Sequence, residues 1–122
     1  MPGNQNLFMA FTNAFHGLHY VFSSQRNAKI HAIITILVVL ISYLLKISES
    51  EWIAIIFAIG LVWSAECLNT AIEKLTDLVS PNFHTLAKIS KDSAAAGVLF
   101  ASVTALIIGL IVFLPKLLLL LW

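Results

Sequence analysis

Three long apolar stretches divide this chain, at about 28–45, 52–73 and 93–114, each close to the roughly 20 residues a helix needs to cross a bilayer core. The third has no charged residue. The first carries Lys29 and His31 near its start, where long side chains reach back to the headgroups. The second carries Glu66, which reaches the surface less easily. Ahead of the first stretch, Leu7, Phe11, Phe15, Leu18 and Phe22 recur at steps of three or four, which puts them on one helical face. That spacing predicts an amphipathic helix over about 5–24, lying along the membrane surface or packed as a short helix on the spanning ones. The expected architecture is an all-α membrane protein: a single domain of residues 1–122, with three transmembrane helices and an N-terminal amphipathic surface helix.

The segments between the stretches differ in length. Lys46 to Glu51 is a short polar turn, followed by Trp52 at an interface position, and it is too short to hold a catalytic domain. Lys74 to Asp92 reads as the longer connection and contains Pro81, Asn82, His84, Lys88 and Lys91. Chemistry is expected at its edges. The tail Leu117 to Leu121 reads as a hydrophobic end anchored by Trp122.

Composition supports the membrane assignment, since 60% hydrophobic and 11% charged residues lie well outside the balance of soluble domains. Met1 to Asn6 has neither the basic start nor the cleavage site of a secretory signal, so the first spanning helix is the expected targeting element. Arg26, Lys29, Lys74, Lys88 and Lys91 fall on one side of a three-span arrangement, and Lys46 and Lys116 on the other. Basic residues near helix ends are retained in the cytoplasm, which predicts a cytoplasmic N-terminus and a cytoplasmic second connection. A net charge of +1 with no basic stripe excludes a nucleic-acid surface. Cys67 is the single cysteine, available for packing but for no internal disulfide. His16, His19, His31 and His84 lack the paired spacing of a zinc site and read as interface hydrogen-bonding groups.

The second stretch carries the candidate chemistry. At about 100° per residue, Glu66, Asn69, Thr70, Glu73 and Asp77 fall at roughly 0°, 300°, 40°, 340° and 20°, on one side of a helix. An ionised carboxylate at the bilayer centre costs about 2.5–3.5 kcal/mol on insertion scales, so Glu66 needs a partner or a purpose. Alone, Glu66 could be neutral or bonded to a neighbouring helix, and Asn69 and Thr70 could be interhelical glue. Five polar side chains on one face point instead to function. Glu73 and Asp77 offer two hard oxygen ligands suited to Mg²⁺, although two carboxylates alone are a weak metal signal. Lys91 and Asp92 bring a cation and another acid to the same end of the bundle. No GxxxxGK[ST] run or kinase Gly-rich loop is present, so side chains and metal would have to hold a nucleotide.

The ExxNxAxE pattern of Glu66, Asn69, Ala71 and Glu73, then Asp77, Ser80 to His84 (SPNFH) and the Lys91–Asp92 pair, resembles the prokaryotic diacylglycerol kinase family, which includes the undecaprenol kinases. The resemblance spans nearly the whole chain. It implies a homotrimeric lipid kinase of the bacterial inner membrane, with active sites between subunits, ATP and Mg²⁺ on the cytoplasmic side, and a lipid alcohol entering laterally. By position it implies Glu66 as general base and Asn69 as its orienting partner. Glu73 would hold Mg²⁺, Lys91 and Asp92 would position the γ-phosphoryl group, and Asp77 and His84 would lie on the nucleotide side. One residue departs from the family pattern: where a glutamate commonly helps to hold the metal, this chain has Gln25. An amide oxygen can coordinate Mg²⁺ but supplies no charge, so either metal affinity is weaker or a nearby acid has taken the role. The SPNFH and LAKISKD segments are more similar to the undecaprenol kinase branch than to the diacylglycerol branch. Two other classes compete with the kinase: a non-catalytic trimer held together by Glu66 and Asn69, and a small proton-linked transporter using Glu66, for which three spans leave little room.

Overall fold

The computed structural model describes residues 6–122 and consists of four helices. They are α1 (Leu7–Ser24), α2 (Arg26–Leu44), α3 (Glu49–Val79) and α4 (Thr85–Leu121). The expected start of the surface helix at about residue 5 lies outside the described residues. Helices α2, α3 and α4 are each long and apolar enough to cross a membrane. Their outer faces expose residues such as Ile33, Leu37, Phe57, Phe100 and Ile111, as a lipid-facing surface requires.

Each helix boundary has a local cause. Asn6 caps α1 by accepting from the Met9 N–H at 2.8 Å. Gln25, in extended conformation, ends α1 and begins α2, so a single residue makes the corner between them. At the far end of α2, Lys46 takes a φ of 51°, and the Ile47 N–H returns to the Ser42 carbonyl at 3.3 Å. Ser48 and Glu51 then form a reciprocal capping box that starts α3.

The connection read as Lys74 to Asp92 is mostly helix. Only residues 80–84 are non-helical, because α3 continues through Lys74 and Asp77 to Val79 and α4 begins at Thr85. Apolar-run reading stops where polarity rises, but Glu, Lys and Thr side chains do not prevent a helix from continuing in water. Helix α4 also runs through Pro115 to Leu121, past the end of the third apolar stretch. At 31 and 37 residues, α3 and α4 are about 46 and 55 Å long, so both project beyond a bilayer core of about 30 Å.

Packing is uneven. Helices α3 and α4 run together as the main pair, α2 touches α3 more sparingly, and α2 and α4 do not pack directly on each other. At the end where α2 turns into α3, Ile47, Ile55 and Val112 form a buried cluster with Trp52 and Phe113 against it. Lys116 of α4 meets Glu51 of α3 there at 2.9 Å. At the opposite end, here termed the site end, the corner at Gln25 meets the end of α3, and the Lys74 ammonium lies 5.8 Å from the centre of the Tyr20 ring. The basic residues divide between these ends as expected from the sequence. On α1, Leu7, Phe11, Phe15, Leu18 and Phe22 remain uncovered by the rest of the chain.

Between the ends, a polar clamp joins α2 to α3. The Trp63 Nε1–H donates to Thr35 Oγ1 at 3.1 Å, and the Thr35 hydroxyl donates to the His31 carbonyl at 2.7 Å. Replacing Thr35 with valine keeps the shape and strands the indole N–H. A loss of about 1 kcal/mol is expected, typical of an interhelical hydrogen bond in a membrane, read as an earlier midpoint in denaturant titration. An unchanged midpoint would show that the clamp contributes nothing.

Candidate active site

Because α2 and α4 stand apart across α3, a groove of about 420 Å³ opens between them. Its α2 wall includes His31, Thr35 and Val38, its floor Ile55, Ala58 and Val62 of α3, and its other wall Ser102, Gly109 and Phe113 of α4. The lining is almost entirely apolar. Its volume is that of a small-molecule pocket, and it is open along one side.

One turn beyond Val62, at the site-end limit of the groove, stands Glu66. Its side chain is 3% exposed. His31 Nε2 lies 3.0 Å from Glu66 Oε1, and the imidazole itself is 19% exposed. The distance suits a hydrogen bond, yet the alignment is poor, and Glu66 Oε1 has no well-directed donor among the described residues. The Thr70 hydroxyl donates to the Glu66 carbonyl at 2.9 Å, so it turns back onto its own helix and leaves the carboxylate alone.

Further towards the site end, the face predicted from sequence is assembled as a network. Asn69 Nδ2 donates to Glu73 Oε1 at 3.1 Å, and Gln25 Nε2 donates to Glu73 Oε2 at 3.3 Å. Glu73 is thus held between two amides, one from its own helix and one from the α1–α2 corner. Asn69 Oδ1 is buried and has no partner among the described residues. Two acceptors, Glu66 Oε1 and Asn69 Oδ1, therefore stand about one turn apart without donors.

The other candidates lie nearer the surface. Lys91 pairs with the half-exposed Asp77 across the α3–α4 junction. Asp92 pairs instead with Lys88 on α4 at 2.6 Å, and both are well exposed. Thr76 and Ser90 hydroxyls approach to 3.5 Å beside the Lys91–Asp77 bridge. His84 caps α4, its Nδ1 accepting from the Leu86 N–H at 3.0 Å, and no described contact ties it to Glu73 or Asp77.

The donor set decides what metal could be held. No group of three His, Cys, Asp or Glu residues suited to a metal occurs among the described residues. One carboxylate flanked by two amides provides hard oxygens but a single negative charge. That set fits Mg²⁺ arriving with phosphate oxygens and water, and does not fit a dedicated cage for the free ion.

Sequence reasoning read His31 as an interface hydrogen-bonding group without pairing it with Glu66, and it missed Thr35 and Trp63. The signal for His31 was present: it and Glu66 are ionisable groups inside apolar stretches, and such groups commonly pair. Counted from the turn between α2 and α3, the two lie within about one helical turn of the same depth.

A family model described as prokaryotic diacylglycerol kinase matches residues 12–113. The undecaprenol kinase of Bacillus subtilis (strain 168) is 41% identical over 110 residues, covering 90% of this chain and 89% of that protein. A diacylglycerol kinase of Synechocystis sp. is 40% identical over 114 residues, covering 93% of this chain and 65% of that one. The diacylglycerol kinase of Escherichia coli (strain K12) is 27% identical over 105 residues, 86% of each chain. With a family match over most of its length and relatives of this identity, the chain belongs to the prokaryotic diacylglycerol kinase family.

Proposed function

We propose that this protein transfers the γ-phosphoryl group of ATP to the hydroxyl of a membrane lipid alcohol, with undecaprenol favoured and diacylglycerol next. The observation that carries the reading is the junction of two environments on α3. An apolar groove ends beside the buried Glu66, and about two turns further along the same face Glu73 is held by Asn69 and Gln25. A lipid tail in the groove would bring its hydroxyl to the end where the unpaired acceptors lie. The phosphates would approach from the polar end.

In this reading Glu66 is the general base that takes the hydroxyl proton, and Asn69 helps to orient the hydroxyl. Glu73, with Gln25 beside it, holds Mg²⁺ bound to ATP; the ion's chemistry there is to neutralise phosphate charge. Lys91 is the cation positioned for the γ-phosphoryl group once Asp77 releases it, and Asp92, Asp77 and His84 border the nucleotide. Positioning and charge neutralisation account for most of the rate in phosphoryl transfer, which suits a site with no covalent nucleophile. The proposed assembly is a homotrimer in the bacterial cytoplasmic membrane, with its N-terminus and the site end facing the cytoplasm.

The identities of 41% and 40% do not choose between the two lipids. The preference for undecaprenol rests on the SPNFH and LAKISKD segments and on the fuller coverage of the undecaprenol kinase. Purified protein in mixed micelles, given labelled ATP, Mg²⁺ and each lipid in turn, tests activity and substrate together. No transfer to any lipid by folded protein rejects the kinase reading; faster turnover of diacylglycerol reverses the order of substrates.

Gln25 makes the metal requirement testable. In Gln25→Glu, two carboxylates face each other, so the variant should be less stable without Mg²⁺ and should need several-fold less Mg²⁺ for half-maximal rate. Thermal unfolding with and without Mg²⁺ provides a readout independent of turnover. If neither measurement responds more strongly to Mg²⁺ than in the parent protein, Gln25 is not beside the metal.

A further inference from the structure

We infer that Lys74 is a second cation of the site, binding the nucleotide phosphates that are not transferred, and that Tyr20 on α1 holds it in place. The inference rests on the kinase reading and adds a nucleotide contact to it. Two consecutive residues of α3 are each met by the end of α1 and the corner after it. Glu73 receives the Gln25 amide at 3.3 Å, and the Lys74 ammonium lies 5.8 Å from the centre of the Tyr20 ring. Successive side chains diverge by about 100° on a helix, so the acid and the cation turn to different partners. Tyr20 is itself well placed. Its carbonyl accepts from the Ser24 hydroxyl at 2.6 Å and the Ser23 hydroxyl at 3.3 Å, and Gln25 follows directly. The end of α1 thus presents a ring and an amide to α3 as one unit.

The distribution of charge at the site end leaves Lys74 free for a ligand. Lys91 is engaged by Asp77, and Lys88 by Asp92. Lys74 is in no ion pair among the described residues. An aromatic ring positions an ammonium without neutralising it. Lys74 and Asp77 are three positions apart and so are neighbours on the surface of α3, which puts Lys74 and Lys91 on either flank of the Asp77 carboxylate. Mg²⁺ leaves a nucleoside triphosphate anionic overall, and the group proposed to hold that metal is itself a carboxylate. Binding therefore calls for a positive charge beside Glu73. Arg26 and Lys29 at the start of α2 also lack ion pairs, but no described side-chain contact directs either of them, whereas Lys74 adjoins Glu73 in the chain and is held by Tyr20.

Position along α3 says which phosphates Lys74 meets. Glu66 and Asn69 mark the acceptor end, and Lys74 stands about 12 Å along the helix from Glu66, past Glu73. In the kinase reading the transferred group lies on the acceptor side of Glu73, so the cation beyond Glu73 faces the phosphates that remain with ADP. Such a contact is made equally before and during transfer. It strengthens nucleotide binding and leaves the chemical step alone.

The test uses the full-length protein in micelles, with whichever lipid the parent protein phosphorylates. Lys74→Met removes the charge and keeps the apolar stem. It is expected to raise the KM for MgATP and the Kd for MgADP about tenfold, the loss of one charge-assisted hydrogen bond, with kcat changed less than about threefold. Lys74→Arg keeps the charge and should stay within about threefold of the parent in all three constants. Tyr20→Leu should weaken MgADP binding about threefold, and should add nothing in a protein that already carries Lys74→Met, because the ring acts through the lysine. Arg26→Gln removes a cation from the same end without removing the contact, and should change these constants less than about twofold. Calorimetric titration with MgADP reads binding without turnover. A Lys74→Met protein that binds MgADP as tightly as the parent overturns the inference. So does an Arg26→Gln loss equal to that of Lys74→Met, which would reduce the effect to the general field of the basic residues. Either result leaves the kinase reading standing, whereas a parent protein that neither binds MgADP nor phosphorylates a lipid overturns both.

Discussion

Replacing Glu66 with glutamine is expected to lower phosphoryl transfer about 10²- to 10⁴-fold while leaving the helices intact and the protein no less stable. The activity loss follows from removing the only carboxylate at the end of the groove, and its size is that of an acid–base contribution. The stability argument has the opposite sign. A buried carboxylate in a spanning helix is costly, about 2.5–3.5 kcal/mol on insertion scales, and Glu66 Oε1 lacks a well-directed donor to offset it. Glutamine fills nearly the same volume without the charge. Rates with labelled ATP, paired with denaturant titration of the same preparation, read both quantities. A variant that unfolds or loses its assembly while keeping its turnover per folded molecule would return Glu66 to a structural role and favour the non-catalytic reading of the fold.

Glu73→Gln is the second large effect, and it should fall on the nucleotide. The change leaves three amides, with residues 25, 69 and 73, and no negative charge for Mg²⁺ bound to ATP. An expected loss of about 100-fold or more in kcat/KM for MgATP follows from removing a group that holds the transferring phosphates in place. The KM for lipid should stay within a few-fold, because the groove lies on the other side of Glu66. Initial rates over a grid of MgATP and lipid concentrations separate the two dependences. If lipid dependence changes and MgATP dependence does not, Glu73 belongs to the acceptor side and the assignment of roles along α3 is reversed. Local structure is also at stake, since Glu73 accepts from the Gln25 corner. Glutamine can preserve that contact through its own carbonyl oxygen, whereas alanine would release the start of α2 and confuse loss of charge with loss of position.

Several features of this arrangement were legible without coordinates. Apolar runs of membrane-spanning length declare the three spanning helices, because in lipid the backbone must satisfy itself and a helix is the way one segment does so. The 3.6-residue period places Glu66, Asn69, Thr70 and Glu73 on one face, and Glu73 is indeed held by Asn69 on that face. The same period identifies the apolar face of α1, whose phenylalanines remain uncovered. Such inferences succeed because they depend on the geometry of one helix at a time.

Other features depend on how separate helices meet. Gln25, read as a substitution in a metal pattern, is also the one-residue corner that carries its amide to Glu73, 48 positions along the chain. Lys91 and Asp92 are neighbours in sequence, yet successive side chains point about 100° apart on a helix, so one bridges to Asp77 on α3 and the other turns to Lys88 on α4. The helical continuations around residues 80–84 were hidden for a different reason: hydropathy reports the solvent around a segment and not its backbone conformation. His31 shows the division most clearly. The chain's order reveals an ionisable group in an apolar stretch, but only the approach of α2 to α3, with α4 held away from α2, makes it the side chain standing between the groove and Glu66. Periodicity along one helix is a local property written in residue spacing, while the choice of facing partner is set by packing among helices and becomes visible only once they are assembled.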